Sequence, residues 1–206
     1  DEKTWQLNVQ AGKTLRTEGS SWLQKFTYGF DYTHTNVETL QTGLTPAAGE
    51  TFPLKRFPDT KESSTAFYIQ DEIASDHWII TPGVRYDRYK LDASANGYAS
   101  SIAPASLNDA AVSPKLGVLF RATSEWSVFG NYASGFKAPD ASQVNSYRES
   151  GSYPYYKTLP NPDLRPEKSH NFEVGVRGRT GALTLDAAVF TGRYKDLIEE
   201  NVVVVN

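Results

Sequence analysis

Apolar side chains recur at every second residue in eight segments of this chain, and the polar gaps between them alternate between short and long. The segments are Trp5 to Arg16, Trp22 to His34, Ser63 to Ile73, Trp78 to Lys90, Val112 to Ala122, Trp126 to Phe136, His170 to Arg179 and Leu183 to Lys195, with a ninth expected to begin near Leu197. A period of two is the repeat of a β-strand with one apolar face. Glu18, Gly19 and Ser20 separate the first pair, Ser75 and Asp76 the second, Thr123 and Ser124 the third, and Thr180 and Gly181 the last. Each is the size of a hairpin turn. The other gaps, Thr35 to Glu62, Leu91 to Ala111 and Lys137 to Ser169, are long and polar. Short turns at one rim and long loops at the other predict an all-β, antiparallel transmembrane β-barrel in one domain, residues 1 to 206, with the three long loops on the extracellular side.

The alternation assigns faces. Trp5, Leu7, Val9, Ala11 and Leu15 oppose Gln6, Asn8, Gln10, Gly12, Thr14 and Arg16, and Phe26, Tyr28, Phe30 and Tyr32 oppose Lys25, Thr27, Gly29, Asp31 and Thr33. The expected lipid face carries Phe26, Phe30, Val118, Phe172, Val174, Leu185 and Val189; the expected lumen face carries Lys25, Asp31, Arg85, Asp87, Lys115, Arg121, Glu173 and Arg177, whose charges can pair across strands. A soluble sandwich also alternates. The aromatic placement favours a membrane: Trp22, Trp78 and Trp126 each open a strand after a short turn, and Tyr32, Tyr86 and Tyr132 lie on the same face toward the other end. Two aromatic belts match two lipid-water interfaces. Strands of this length also cross a hydrocarbon core that needs roughly 9 to 11 tilted residues.

Composition conceals this pattern. With 39% hydrophobic residues, a net charge of −3 and a mean hydropathy of −0.50, the chain of 206 residues resembles an ordinary globular protein, because half of each strand is polar. No apolar run approaches the roughly 18 residues of a membrane helix and no secretory leader precedes Asp1, which suggests a mature or excised chain. Cysteine is absent, which an exported protein permits. Near-neutral charge with no basic run argues against nucleic acid as a partner.

The loops differ in kind. Thr45, Pro46, Gly49, Pro53 and Pro58 mark the first as irregular, and Ala95, Asn96, Gly97, Ala99, Ser100 and Ser101 make the second small. The third carries Tyr147, Tyr153, Tyr155 and Tyr156 among Ser, Gly and Pro. It is preceded by Gly135-Phe136-Lys137-Ala138-Pro139 and followed by Asn161-Pro162-Asp163-Leu164-Arg165-Pro166-Glu167-Lys168-Ser169. This pair resembles the two boxes, commonly written FRAP and NPNL, of TonB-dependent outer-membrane receptors, and Asn171-Phe172-Glu173-Val174-Gly175-Val176-Arg177 is similar to the strand after the second box. Read physically, Pro162 and Pro166 fix two backbone angles and remove two donors, which suits a rigid turn into a strand without ligand contact.

The resemblance implies a bacterial outer-membrane transporter with a large barrel, about 22 strands in that family, closed by an N-terminal plug and energised by the TonB complex. With eight or nine strands visible, the chain is expected to be an internal wall segment without the plug; an intact eight-strand barrel is the structural rival. Haem and haemoglobin receptors are the best-known owners of the box pair, and Arg193-Tyr194-Lys195-Asp196-Leu197-Ile198-Glu199-Glu200 is similar to a stretch of haem receptors. The implied function is uptake of haem as transported ligand, from haem or a haem protein, with no catalytic cofactor. Ferric-siderophore or cobalamin transport is the alternative. Many such receptors place a haem-ligating histidine between the boxes, and here none lies between Pro139 and Asn161. A tyrosine phenolate is a hard anionic ligand for ferric haem. Tyr147 is the candidate metal ligand, because Arg148 beside it can favour the phenolate, with Tyr153, Tyr155 and Tyr156 as further ligand-binding candidates. The competing reading is that these rings pack the loop or form a stacking surface.

The three histidines form no metal-binding spacing: His34 shares the register of Tyr32, His77 sits in a short turn, and His170 follows the proline box. A barrel hydrolase is a rival class, with Asp31 and His34 as an imagined acid-base pair, but residues three apart in a strand face opposite ways, and no nucleophile motif is legible. A passive porin would have the same wall without need of the boxes.

Overall fold

The computed structural model describes residues 1–16, 18–45, 51–98, 103–149 and 157–199, with Arg148 and Glu149 as backbone only. Eight long strands dominate: β1 (Glu2–Arg16), β2 (Leu23–Val37), β3 (Asp59–Ala74), β4 (Trp78–Ser94), β5 (Leu107–Arg121), β6 (Trp126–Lys137), β9 (Glu167–Thr180) and β10 (Leu183–Lys195). Between β6 and β9 lie a short helix, α1 (Ala141–Asn145), and a two-residue ribbon of β7 (Arg148–Glu149) and β8 (Lys157–Thr158). The long strands form one antiparallel sheet in the order β1-β2-β3-β4-β5-β6-β9-β10, so each strand pairs with its neighbour in the chain and only the third loop's elements stand outside.

Hydroxyl groups in the turns secure the backbone where three tryptophans mark strand starts. Ser20 Oγ accepts from Trp22 N at 3.1 Å, Ser75 Oγ from Trp78 N at 3.1 Å, and Thr123 Oγ1 from Trp126 N at 3.0 Å. Each hydroxyl satisfies a backbone donor where the ladder begins, as short polar side chains do in tight turns. The last turn uses Gly181 at φ +54°, a left-handed conformation that favours glycine.

Several strands run further toward the long loops than the apolar pattern predicts. Thr60, Lys61 and Glu62 pair with Val37, Asn36 and Thr35, β4 continues to Ser94, and β5 starts at Leu107 rather than Val112. Ladder hydrogen bonds join backbones and need no apolar side chain, so periodicity marks only the part of a strand that has an apolar face. The ninth strand expected near Leu197 does not start there: Asp196 turns the chain at φ 56°, and Leu197 to Glu199 are not in a strand.

The register keeps the two faces separate across all eight strands. One row runs Val9, Phe30, Phe67, Tyr86, Val112, and ring pairs such as Phe30 with Phe67 (5.0 Å) and Tyr132 with Phe172 (4.7 Å) cover this face. On the other face Tyr68 reaches across Gly29 to donate to Gln10 Oε1 at 2.9 Å. There Arg85 bonds Asp31 (2.6 Å) and Asp87 (2.9 Å) with its guanidinium over the Tyr68 ring. Among the described residues nothing covers the apolar face: Val9, Phe67 and Val174 remain 53 to 54% exposed. Among the described residues a buried cluster forms at the long-loop end of the polar face.

Edge strands β1 and β10 do not pair with each other, and every residue of both is exposed. Closure into a barrel requires that pairing. The sheet is therefore an arc of a larger barrel wall, and the closed eight-strand alternative is excluded.

Candidate functional site

The long loops are built into one unit by a helix that is legible at its start. Asp140 Oδ1 accepts from Gln143 N at 2.9 Å while Gln143 Oε1 accepts from Asp140 N at 3.1 Å, a reciprocal capping box that starts α1. One turn of helix is marginal alone, so its position depends on packing. Ala141 and Val144 pack on Leu91, with Ala93, Ala105, Leu107 and Leu164 around them. Glu62 Oε1, on the loop-side extension of β3, accepts from Ala141 N at 3.2 Å. Burial pushes the Glu62 carboxyl above the ordinary carboxylate range; the Ala141 bond opposes the shift, and Asp140 and Glu2 add to it. A cavity of about 260 Å³ lies here, lined by Thr33, Thr35, Glu62, Ser64, Tyr89 and Pro139 among others.

Asn145 ties the second loop to the third. It is fully buried; its Oδ1 accepts from Ala105 N and its Nδ2 donates to Ala105 O, both at 2.7 Å. Its carbonyl accepts from Tyr98 Oη at 2.8 Å. The first loop joins through Arg56, whose carbonyl accepts from Tyr147 N at 3.0 Å, and through a bridge between Lys55 and Tyr98. The proline boxes meet at α1. Ala138 and Pro139 lead into Asp140, while Asn161 N donates to Val144 O at 2.8 Å, Asn161 Oδ1 accepts from Asp163 N at 3.1 Å, and Leu164 joins the buried cluster. The second box is thus a rigid turn with an apolar anchor, as its prolines suggest.

Tyr147, the candidate iron ligand, stands on this joined platform. Its half-buried ring meets the edge of Tyr98 at 6.4 Å and 80°, and the Lys157 ammonium lies 5.6 Å from the ring centroid. A cation there stabilises negative charge on the phenol and is attracted to the ring face. The backbone of Arg148 pairs with Thr158. The Arg148 side chain and Tyr153, Tyr155 and Tyr156 lie outside the described residues. Sequence reasoning missed Tyr98, Asn145 and Lys157. The capping box from Asp140 to Gln143 was the available signal for α1, but nothing local marks an asparagine as buried.

The histidines lie apart. His34 is on the apolar face beside Trp5, His170 Nδ1 is 3.1 Å from Tyr132 Oη, and the His77 carbonyl accepts from Arg121 N in a short turn. Among the described residues no group of three His, Cys, Asp or Glu side chains could hold a metal ion. Asp31 and His34 fall on opposite faces, with Asp31 engaged by Arg85, so they form no acid-base pair.

Comparison with known proteins places this geometry. A family model described as TonB dependent receptor-like, beta-barrel matches residues 1–206. The hemin receptor of Yersinia pestis is 29% identical over 183 residues, which are 81% of this chain and 25% of that protein. Among solved structures, the hemophore receptor HasR of Serratia marcescens, in complex with its hemophore HasA and heme, superposes with a TM-score of 0.72 at 15% identity over 94% of this chain and 33% of that one. The siderophore receptor PirA of Acinetobacter baumannii gives 0.69 at 18% identity over 95% and 27%. The chain thus spans a quarter to a third of the length of these relatives. Strand order, open arc and family model agree: the chain belongs to the β-barrel of the TonB-dependent receptors.

Proposed function

We propose that this chain is a wall segment, with ligand-capturing loops, of an outer-membrane receptor that imports haem. Its uncovered apolar face suits lipid, which covers such a face without an internal core. Open sheet edges do not persist in hydrocarbon, so further strands of the receptor cover β1 and β10. The plug and the TonB complex complete the transport machinery. Long loops seize the ligand, differential contacts bias their closure, and force applied through the plug opens the path.

The observation that carries the haem reading is Tyr147, a phenol between the proline boxes, held against Tyr98 with Lys157 at its ring on a platform shared by all three loops. Phenolate ligation needs an oxygen freed toward the ligand and a nearby cation, and stacking needs the rings. Arg148, Tyr153, Tyr155 and Tyr156 supply further contacts in this proposal. The same aromatic and cationic set also suits an anionic ferric siderophore, the second reading.

Tyr147→Phe in the full receptor tests the first. Loss of a ferric tyrosinate band together with weakened haem binding supports ligation, and retained affinity with an unchanged spectrum removes Tyr147 as the ligand. Binding of a ferric siderophore or cobalamin in place of haem leaves the transporter class standing and overturns the haem assignment.

A further inference from the structure

The register sorts basic side chains in a way that no stretch of sequence reveals. On the apolar face, the long-loop half of the sheet carries Lys3 on β1, Lys61 on β3, and Arg88 and Lys90 on β4, in the same alternation as Trp5, Phe67 and Tyr86. Across the sheet, Lys168 on β9 and Arg193 and Lys195 on β10 share the alternation of Phe172 and Val189. All seven are exposed. In the short-turn half the cations change sides: Lys25, Lys115, Arg121 and Arg177 fall on the polar face, and the apolar face retains Lys13. The acids of the long-loop half lie mostly on the polar face, as Asp31, Glu62, Asp87 and Glu167 do.

This belt is only partly neutralised from within. Lys90 pairs with Asp92 at 2.6 Å and Arg88 donates to Asn108, but Lys3, Lys61, Lys168, Arg193 and Lys195 form no ion pair among the described residues. Lys168 and Lys195 stand directly opposite each other in the β9-β10 ladder. Like charges so placed destabilise a sheet unless an anion lies between them. Lys61 and Lys90 are diagonal neighbours on the same face; Ser63 stands directly opposite Lys90, and Asp92, which bonds Lys90, directly opposite Lys61, so that with Arg88 this cluster keeps an excess of positive charge. Two clusters of cations, on the outward face above an aromatic row, are aimed at the depth where lipid headgroups lie.

We propose that this belt binds the phosphate groups of an anionic outer-leaflet lipid, with basic side chains of adjacent strands closing on each headgroup. Charge complementarity selects this occupant: the flanking face is apolar enough for acyl chains, and the cations meet the chain-headgroup boundary. The inference rests on the membrane reading proposed above.

The test uses the full receptor in nanodiscs of phosphatidylcholine containing bisphosphorylated lipid A or its dephosphorylated form, with retained lipid counted by native mass spectrometry. The wild type is expected to retain the phosphorylated lipid and release it at high salt. Lys168→Gln with Lys195→Gln, and separately Lys61→Gln with Lys90→Gln, should each weaken retention about 30-fold, on the order expected for two surface cations. Lys25→Gln, on the polar face, should leave it unchanged. Equal retention of dephosphorylated lipid, or variants that retain lipid like the wild type, overturns the proposal. So does displacement by millimolar inorganic phosphate, which would make a soluble anion the ligand. Should a double variant fail to fold, the salt and dephosphorylation arms on the wild type still decide. A wild-type receptor that does not insert refutes the membrane reading instead.

Discussion

Replacing Asn145 by leucine isolates the bond that unites the second and third loops. The two side chains share the same branched skeleton and leucine is the bulkier, so the change removes hydrogen bonds without opening a cavity. It deletes the acceptor for Ala105 N and the donor to Ala105 O, each at 2.7 Å, at a site with no exposure. Both backbone groups then lose their partner in a partly buried setting, toward the lower end of about 1 to 3 kcal/mol each. Even the lower figures sum to about 2 kcal/mol, roughly a 30-fold change in a local opening equilibrium. The strand ladders share no bond with Asn145, so the loss should stay in the loops. Amide hydrogen exchange on the full receptor is the assay. The Ala105 amide and those of α1 should exchange roughly 30-fold faster or more, while amides of β3 and β9 keep their protection. Unchanged exchange at Ala105 would refute the claim that this side chain holds the two loops together. Uniform acceleration across β3 and β9 would refute the claim that the platform is an independent layer on the wall.

Gly29→Val should displace Tyr68, whose ring occupies the space a Cβ would need, breaking its bond to Gln10 and its stacking under Arg85; a loss of stability of about 1 to 3 kcal/mol in denaturant titration is expected, and none would contradict the packing. Val174→Arg, on the uncovered apolar face, should cost roughly 2 to 4 kcal/mol if that position lies near the bilayer midplane, and a shift near zero in the unfolding of the reconstituted receptor would reject that depth. Glu62 has a carboxyl raised in the folded state, so its contribution is fully present below the unfolded value and is lost as pH rises through the folded one. Glu62→Gln keeps an acceptor for Ala141 N and should therefore protect α1 at neutral pH and flatten the pH dependence of its exchange; a pH profile like that of the wild type would sink the assignment.

The alternation of side chains was enough to locate all eight long strands, their order and their faces. A strand's two faces are set by neighbours in sequence, and hairpin turns leave little choice of partner. The boxes around the third loop carried the family for the same reason: Pro139, Pro162 and Pro166 restrict the backbone locally. Leu197, apolar and well spaced, looked like another strand, yet Asp196 turns the chain before it. Only the tertiary structure decided that the sheet is open, since whether β1 meets β10 depends on strand number and tilt rather than on either sequence. The site divides in the same way. Tyr147 was legible as an aromatic in a polar loop, whereas Asn145, Tyr98 and Lys157 acquired roles from residues ten or more positions away. The basic belt is the extreme case: Lys61 and Lys90, and Lys168 and Lys195, lie apart in the chain and become neighbours through register, which backbone hydrogen bonds impose across strands.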